Sequence, residues 1–487
     1  MTGRTLVDKI WDEHVITEVD EGLDLLHVDR HYVHDVTSPK AFATLRDRGV
    51  GVLSPELTFG SPEHSVTILA GRTEASNPMS ERFVPLMRQN FATYGLKLFD
   101  IDSPEHGIVH IIGPELGLTL PGTTVVCGDS HTCTNGGLGA LGFGIGTSEL
   151  AHVLATQSLV QRRPAMMRIT FTGSLSPLVS PKDLILHTIA RLGADAGAGC
   201  AVEFAGPLIS SVGIEERMTI CNLAVEIGAK IGLVAPDEVT FEYISSRRYA
   251  PPGPLLDLAV EHWRSLVTDG DAAFEREEVI DGTGVAPQIT WGTSPAHSVP
   301  VDGTVPDPDD APNEVVRRQW AQAMDYIGVG PGDRLEGLPI QWVFIGSCTN
   351  GRLSDLRAAA AVIAGRRVAP TVRALVVPGS ATVRRTAESE GLDRVFTEAG
   401  FEWGEPGCGL CPGLGGVHLA PGDRCVSTSN RNFMGRQGVG VRTHLASPAT
   451  AAVAAVHGCI ADVREAGYRD PGHRNPKCRN PKCRNPK

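Results

Sequence analysis

Short apolar runs, each closed by a glycine-containing loop and followed by an amphipathic stretch, recur along this chain. Ile340-Gln-Trp-Val-Phe-Ile345 reads as a buried strand, and its loop carries Gly346-Ser-Cys-Thr-Asn350. Ser354 is placed to cap a helix over Asp355–Ala364, which Gly365 ends. A further strand is predicted over Val372–Val377, before Pro-Gly-Ser. Earlier, Thr123–Cys127 reads as a strand, and Thr147 as the cap of a helix over Ser148–Val160. Strand–loop–helix alternation of this kind predicts α/β layers with mostly parallel sheets. In such sheets ligands collect in the loops beyond the carboxyl ends of the strands. The chemically notable residues fall in those loops.

Two segments break the pattern. Ser298–Asn313 is rich in Pro and Asp with few apolar positions and reads as a linker between residues 1–297 and residues 314–468. Residues 469–487 end in a basic repeat, Arg-Asn-Pro-Lys-Cys, with too few apolar residues to pack, and are expected to be disordered. At 487 residues the chain needs more than one ordinary core, roughly two to four domains or subdomains.

Composition narrows the function classes. A net charge of −12 and a pI near 5.7 argue against a nucleic-acid or membrane-surface protein. The N-terminus has no apolar signal-peptide core, and no run approaches the ~20 apolar residues of a membrane span. Eleven cysteines without an export signal suggest reduced thiols and a cytoplasmic location.

Three of those cysteines stand out. Cys348 follows an apolar strand, and Cys408 and Cys411 form a C-x-x-C inside Pro406-Gly-Cys-Gly-Leu-Cys-Pro-Gly413. A C-x-x-C by itself is open between structural zinc, a redox pair and chance. No second C-x-x-C and no histidine pair follows, which disfavours a closed zinc site. Three thiolates in glycine-containing loops suit an iron–sulfur cluster with one iron left open for chemistry, whereas electron-transfer clusters usually take four.

Other loops carry acids, imidazoles and guanidiniums. Cys127-Gly-Asp-Ser-His-Thr-Cys133 places Asp129, Ser130 and His131 after a strand, where the acid can orient the imidazole. Glu63-His64 repeats the acid–His pairing. Ser427-Thr-Ser-Asn-Arg-Asn-Phe-Met-Gly-Arg436 offers Asn430, Arg431 and Arg436 soon after the C-x-x-C, and guanidinium forks in an acidic protein point to a carboxylate ligand. Gly137-Leu-Gly-Ala-Leu-Gly142 matches G-x-G-x-x-G, yet no acid stands between Glu149 and Asp183 to hold a ribose. Those glycines therefore read as close packing and not as a nucleotide loop.

Taken in order, these motifs resemble the aconitase superfamily, and within it the large subunits of the bacterial isopropylmalate dehydratases. The resemblance runs from Thr5-Leu-Val-Asp-Lys-Ile-Trp-Asp-Glu-His14 to about Val463. It includes Asp29-Arg-His-Tyr-Val-His-Asp-Val-Thr-Ser-Pro39, Cys127-Gly-Asp-Ser-His-Thr132, Gly142-Phe-Gly-Ile-Gly-Thr-Ser-Glu149, Gly346-Ser-Cys-Thr-Asn350 and Ser427-Thr-Ser-Asn-Arg-Asn-Phe433. It implies three α/β subdomains around a central cluster, one [4Fe-4S] per subunit, held by Cys348, Cys408 and Cys411. It implies substrate contacts from His34, Ser130, Asn430, Arg431 and Arg436, and a catalytic acid–His pair at Asp129 and His131. Glu63 and His64 match the pair that protonates a leaving hydroxyl. The matched sequence ends before the family's swivelling domain, so the resemblance implies a separate small subunit that supplies it.

The implied reaction moves a hydroxyl between neighbouring carbons of 2- and 3-isopropylmalate by dehydration and rehydration, a step of leucine biosynthesis. Four departures bear on it. Glu63 stands where the family usually has Asp, which is expected to displace His64 by about 1 Å. Ser65-Val-Thr67 replaces the usual Asn-Val-Pro or similar, Asn135 replaces a common His, and Gly351 replaces a usual Ser. They leave open a hydro-lyase on another small hydroxy acid, such as homocitrate, citrate or 2-methylmalate. A cluster-free RNA-binding regulator is the reading of another class, and the acidic charge opposes it.

Overall fold

The computed structural model describes residues 3–465. The basic repeat at 469–487 lies outside the described residues. The chain divides into two compact units, one built from 1–66, 74–174 and 195–282, the other from 67–73, 175–194 and 283 onward.

The first unit holds two parallel sheets. One has five strands in the order Lys97–Leu98, Thr58–Ser61, Arg30–His34, Thr124–Cys127, Leu141–Gly144, each paired parallel to the next. The other has four, in the order Ile231–Leu233, Cys200–Ala205, Ala165–Thr172, Arg276–Asp281, also parallel throughout. Strand Thr124–Cys127 is buried at every position, as a strand covered on both faces must be. The helix Leu6–His14 is fixed at its start by a capping box in which Thr5 accepts from the Asp8 amide and Asp8 accepts from the Thr5 amide. It buries Leu6, Val7, Ile10 and Trp11 in an aliphatic core shared with Leu150, Val153 and Leu154.

The second unit is built on a five-stranded parallel sheet, in the order Phe401–Trp403, Arg373–Val376, Trp342–Ile345, Arg424–Ser427, Arg442–Leu445. Strand Trp342–Ile345 is central and fully buried. Helix Pro448–His457 packs its alanine-rich face on it and on helix Leu353–Ile363. The Pro/Asp-rich segment belongs to this unit. Its Ser298–Pro300 pairs antiparallel with Gln288–Thr290, and Val301 and Val305 are buried.

The α/β reading with mostly parallel sheets holds, and the strand positions agree to within a residue or two. One helix is shorter than its pattern predicts. It spans Thr147–Thr156, not Ser148–Val160. Gln157 turns left-handed at φ +52°, and Ser158–Arg162 pairs antiparallel with Leu23–His27. The caps also differ from expectation. The Glu149 carboxylate takes the Gly146 N–H and the Asp355 carboxylate takes the Arg352 N–H, so acids at the third helical position do what Thr147 and Ser354 were expected to do. The G-x-G-x-x-G glycines are packing positions. A Cβ on Gly137 would sit 2.7 Å from the Met218 backbone nitrogen, and one on Gly142 would sit 2.5 Å from the Thr132 carbonyl. Among the described residues no helix is long and apolar enough to cross a membrane.

Candidate active site

In the first unit, the loops after Arg30–His34, Thr58–Ser61 and Thr124–Cys127 leave adjacent strands of one parallel sheet, so their side chains converge. His34 ends the first strand and is buried. Its Nδ1 accepts from the Val36 amide, and its Nε2 lies 3.3 Å from the Gly128 carbonyl and 3.1 Å from Thr37 Oγ1. With Nδ1 accepting, the proton sits on Nε2. Burial and the neighbouring His64 charge lower its pKa, so the ring stays neutral.

The Asp35 carboxylate, fully buried, shapes the next loop. It accepts the amides of Glu63 (3.0 Å), His64 (3.1 Å) and Ser65 (2.8 Å) and the Ser65 hydroxyl. Burial works against the anion, but the His64 and His34 rings and these donors outweigh it, and the pKa falls. Three consecutive amides aimed at one carboxylate leave His64 with a single backbone placement.

His64 stacks on His34, with ring centroids 4.2 Å apart and planes 25° from parallel. Its Nδ1 is 3.0 Å from Glu63 Oε1, off the direction of a true hydrogen bond, so this contact is an ion pair. Its Nε2 is 3.4 Å from Asp129 Oδ2. Burial opposes the imidazolium, yet Asp129 and Glu63 together raise its pKa well above 6.5. The other oxygen of Glu63 accepts the Val109 amide, the first N–H of helix Val109–Leu116. The extra methylene of glutamate is thus used to bridge from the imidazole to a helix N-terminus.

Asp129 caps the 3-10 helix Ser130–Leu138 by accepting the His131 amide at 2.8 Å, and the same oxygen lies 3.3 Å from His131 Nδ1. Its second oxygen faces His64 and lies 3.9 Å from His110 Nε2. Burial raises its pKa, but the His131 and His64 contacts prevail and hold it well below 3.8. His131 Nε2 reaches Glu226 Oε1 at 3.1 Å. The result is a chain of alternating carboxylates and imidazoles, Glu63–His64–Asp129–His131–Glu226. Ser130 is half-buried and lines a cavity of about 270 Å³ with Gly144, Ile145, Val225 and Lys230.

The second unit assembles the cysteines. Cys348 lies in the short helix Ser347–Asn350 that follows strand Trp342–Ile345. Ser347, just before it, is held at φ +77°, a left-handed value that costs a residue with a Cβ of order 1 kcal/mol or more and marks a constrained loop. Cys408, Cys411 and Cys348 are buried, and no disulfide joins any of the described cysteines. The Asn430 amide lies between two of them. Its Nδ2 donates to Cys348 Sγ at 3.4 Å, and its Oδ1 lies 3.4 Å from Cys411 Sγ. Arg436 Nη2 is 3.7 Å from Cys411 Sγ. Arg431 is half-buried beside Asn430. Gly351 is explained by packing, because a Cβ there would stand 2.7 Å from the Ser347 carbonyl.

Lys182 was not legible as a site residue. It lies on helix Pro181–Leu192, is 1% exposed, and donates to Asn350 Oδ1 (3.1 Å) and to the carbonyls of Thr428 and Ser429 (2.8 Å each). Burial pushes its pKa down to about 7 against the pull of Asp355, Cys411, Asp183 and Cys348. Among the described residues no carboxylate pairs with it directly. A buried cation with only neutral acceptors is costly unless an anion completes it. Three buried thiols, two of them bridged by one amide, in the same unit as such a cation, fit an anionic metal–thiolate group.

Every residue expected at the site falls into one of these two groups. Asp35, His110, Glu226 and Lys182 were missed. The signals were faint: an Asp adjoining His34, a His after Gly107-Ile-Val109, and a lone Lys beside the apolar run Leu184-Ile-Leu186. Asn135 is buried, donating to the Thr132 carbonyl and accepting from Thr119.

The model of the aconitase family (aconitate hydratase) matches residues 8–458, and the chain belongs to that family. Within it, the chain is 57% identical over 462 residues to the 3-isopropylmalate dehydratase large subunit 1 of Bradyrhizobium diazoefficiens, a match covering 95% of this chain and 97% of the relative. Among solved structures, the holo form of Thermococcus kodakaraensis aconitase X aligns with 90% of this chain and 93% of its own, at 11% identity and a TM-score of 0.45.

Proposed function

We propose that this chain is the large subunit of a 3-isopropylmalate dehydratase, a hydro-lyase that interconverts 2- and 3-isopropylmalate through the unsaturated acid. The observation that carries this reading is 57% identity sustained over nearly the full length of both chains. Cys348, Cys408 and Cys411 would hold a [4Fe-4S] cluster. When bound, that cluster supplies a Lewis acid that polarises a substrate hydroxyl.

The remaining work falls to the side chains. His64 carries a proton at neutral pH, because Asp129 and Glu63 raise its pKa, and it delivers that proton to the departing hydroxyl as general acid. Asp129 holds Nε2 in place, and Glu63 and Asp35 fix the loop. Arg431 and Arg436 bind substrate carboxylate, a role suited to a planar guanidinium. His34, neutral and buried, and Ser130 complete the polar contacts. The base that takes the carbon-bound proton belongs to a small partner subunit.

The test is an anaerobic assay of the iron-reconstituted chain, with and without a co-expressed small subunit, following ultraviolet absorbance of the unsaturated acid from each isopropylmalate. Activity only with the partner is the expected result. A loaded, partner-bound chain that turns over neither acid would sink the reading. Glu63 and Asn135 favour one second reading, a different hydroxy acid, which relative rates on citrate, homocitrate and 2-methylmalate would reveal.

A further inference from the structure

Resting on the cluster reading above, we infer that Lys182 is a positioning residue for the cluster: its ammonium ties the Cys348 loop to the Thr428–Asn430 loop and is the buried counter-charge of the anionic group the cysteines hold. The geometry carries this. Lys182 Nζ has three acceptors, and they come from the two loops that flank the sulfurs. Asn350 lies two residues beyond Cys348 in the same short helix, and its own amide is held by Asp355 at 2.9 Å. Ser429 precedes Asn430, whose amide touches both Cys348 and Cys411. One ammonium therefore sets the spacing between the loop that supplies a ligand and the loop that orients two of them.

The charge argument is independent of the tie. A neutral donor such as an amide would make comparable bonds to these acceptors without the cost of burying a cation. Asp183, next in sequence, is turned to other partners, accepting the Gln288 amide at 2.9 Å and the Ser180 amide and hydroxyl at 2.8 Å. Asp355 makes no direct hydrogen bond to Lys182 and holds Asn350 instead. Thiolates and sulfides supply the missing anion. A buried cation near such a group stabilises its more negative, reduced state, and so raises its reduction potential.

The test uses the full chain, reconstituted anaerobically with ferrous iron and sulfide, as wild type, Lys182→Met and Lys182→Arg. Iron and visible absorbance are measured first, then iron loss to a chelator, then the reduction potential by titration followed by electron paramagnetic resonance. The expected result is that Lys182→Met loses iron about 10–100-fold faster than wild type, the range seen when groups supporting metal ligands are removed. Its potential should fall, while Lys182→Arg keeps the wild-type potential. A Lys182→Met chain matching wild type in both readouts overturns the inference. Faster iron loss at an unchanged potential also overturns it, since a mechanical tie alone would do that. If Lys182→Met is insoluble, Lys182→Arg decides: a wild-type potential supports the counter-charge and a lowered one overturns it. A wild-type chain that takes up no cluster refutes the cluster reading itself, a result distinct from all of these.

Discussion

In the first unit the buried charges of the candidate site answer one another, and in the second they do not. Asp129 sits between two imidazoles, Glu63 and Glu226 stand at the ends of the chain, and Asp35 is met by three amides and a hydroxyl. Each of these carboxylates faces an imidazole or an N–H of the protein itself. Around the cysteines, a buried ammonium is met by neutral oxygens, a serine is held left-handed, and an amide bridges two sulfurs. A proton-transfer site must be set before substrate arrives, because its pKa values depend on fixed neighbours. A site for a metal group is balanced only when the group is present.

That contrast is broken most severely by Cys408→Ser. The variant should lose visible absorbance and activity together, since Cys348 and Cys411 alone leave an iron without its thiolate. An active variant without absorbance would remove the cysteines from the chemistry. His64→Ala should do the reverse, keeping the cluster spectrum while turnover falls about 10²–10⁴-fold. Normal turnover would exclude the imidazole. The wild-type pH profile sharpens this. The folded pKa of His64 is raised above 6.5, so its stabilising charge is fully present below 6.5 and lost as pH rises through the folded value. The alkaline limb of kcat/KM should therefore lie above pH 6.5 in the wild type.

Asp35→Asn should have a smaller effect, through position and not through chemistry. A carboxamide has one acceptor oxygen for donors that now use two, so a buried N–H is stranded at a cost of about 1–3 kcal/mol. Displacement of His64 by about 1 Å would lower kcat by up to ~10²-fold with the cluster spectrum unchanged. The sign of the pH effect is fixed as well. The folded pKa of Asp35 lies below 3.8, so its contribution is present above 3.8 and lost as pH falls through the folded value. Urea midpoints measured across that acid range should fall less steeply in the variant. Equal slopes would mean that Asp35 does not hold the loop.

How much of this was legible follows the distance between partners. The Glu63–His64 and Asp129–His131 pairs are readable because the partners adjoin, and strands such as Trp342–Ile345 are readable because a fully buried strand is an unbroken apolar run. Asp35 meets its amides 28 positions away, Glu226 meets His131 across 95, and Lys182 reaches Ser429 across 247. No local pattern encodes such pairs; only the register of the parallel sheets brings them together. The helix ends failed for a related reason. Thr147 and Ser354 were expected as the caps, yet Glu149 and Asp355 reach back to cap these helices.

Glu63→Asp makes the finest cut, because it restores the family's usual residue directly before His64. The departure was expected to displace His64, whereas the structure uses the longer arm: one oxygen takes the Val109 amide and the other lies 3.0 Å from Nδ1. Aspartate is shorter by one carbon–carbon bond, about 1.5 Å, and cannot span both. If it keeps the imidazole, the Val109 amide is stranded, and the variant should melt lower by the equivalent of about 1–3 kcal/mol with kcat near wild type. If it keeps the helix, His64 loses one of its two anions, the alkaline limb should move to lower pH, and kcat should fall about tenfold while the fold is unchanged. The two results separate an anchor from an electrostatic partner. A variant unchanged in melting, kcat and pH profile would show that the bridge does neither. The ratio of rates on isopropylmalate and citrate adds one more reading. It should not move, since Glu63 contacts the donor and the helix; a shifted ratio would make the residue a determinant of substrate choice.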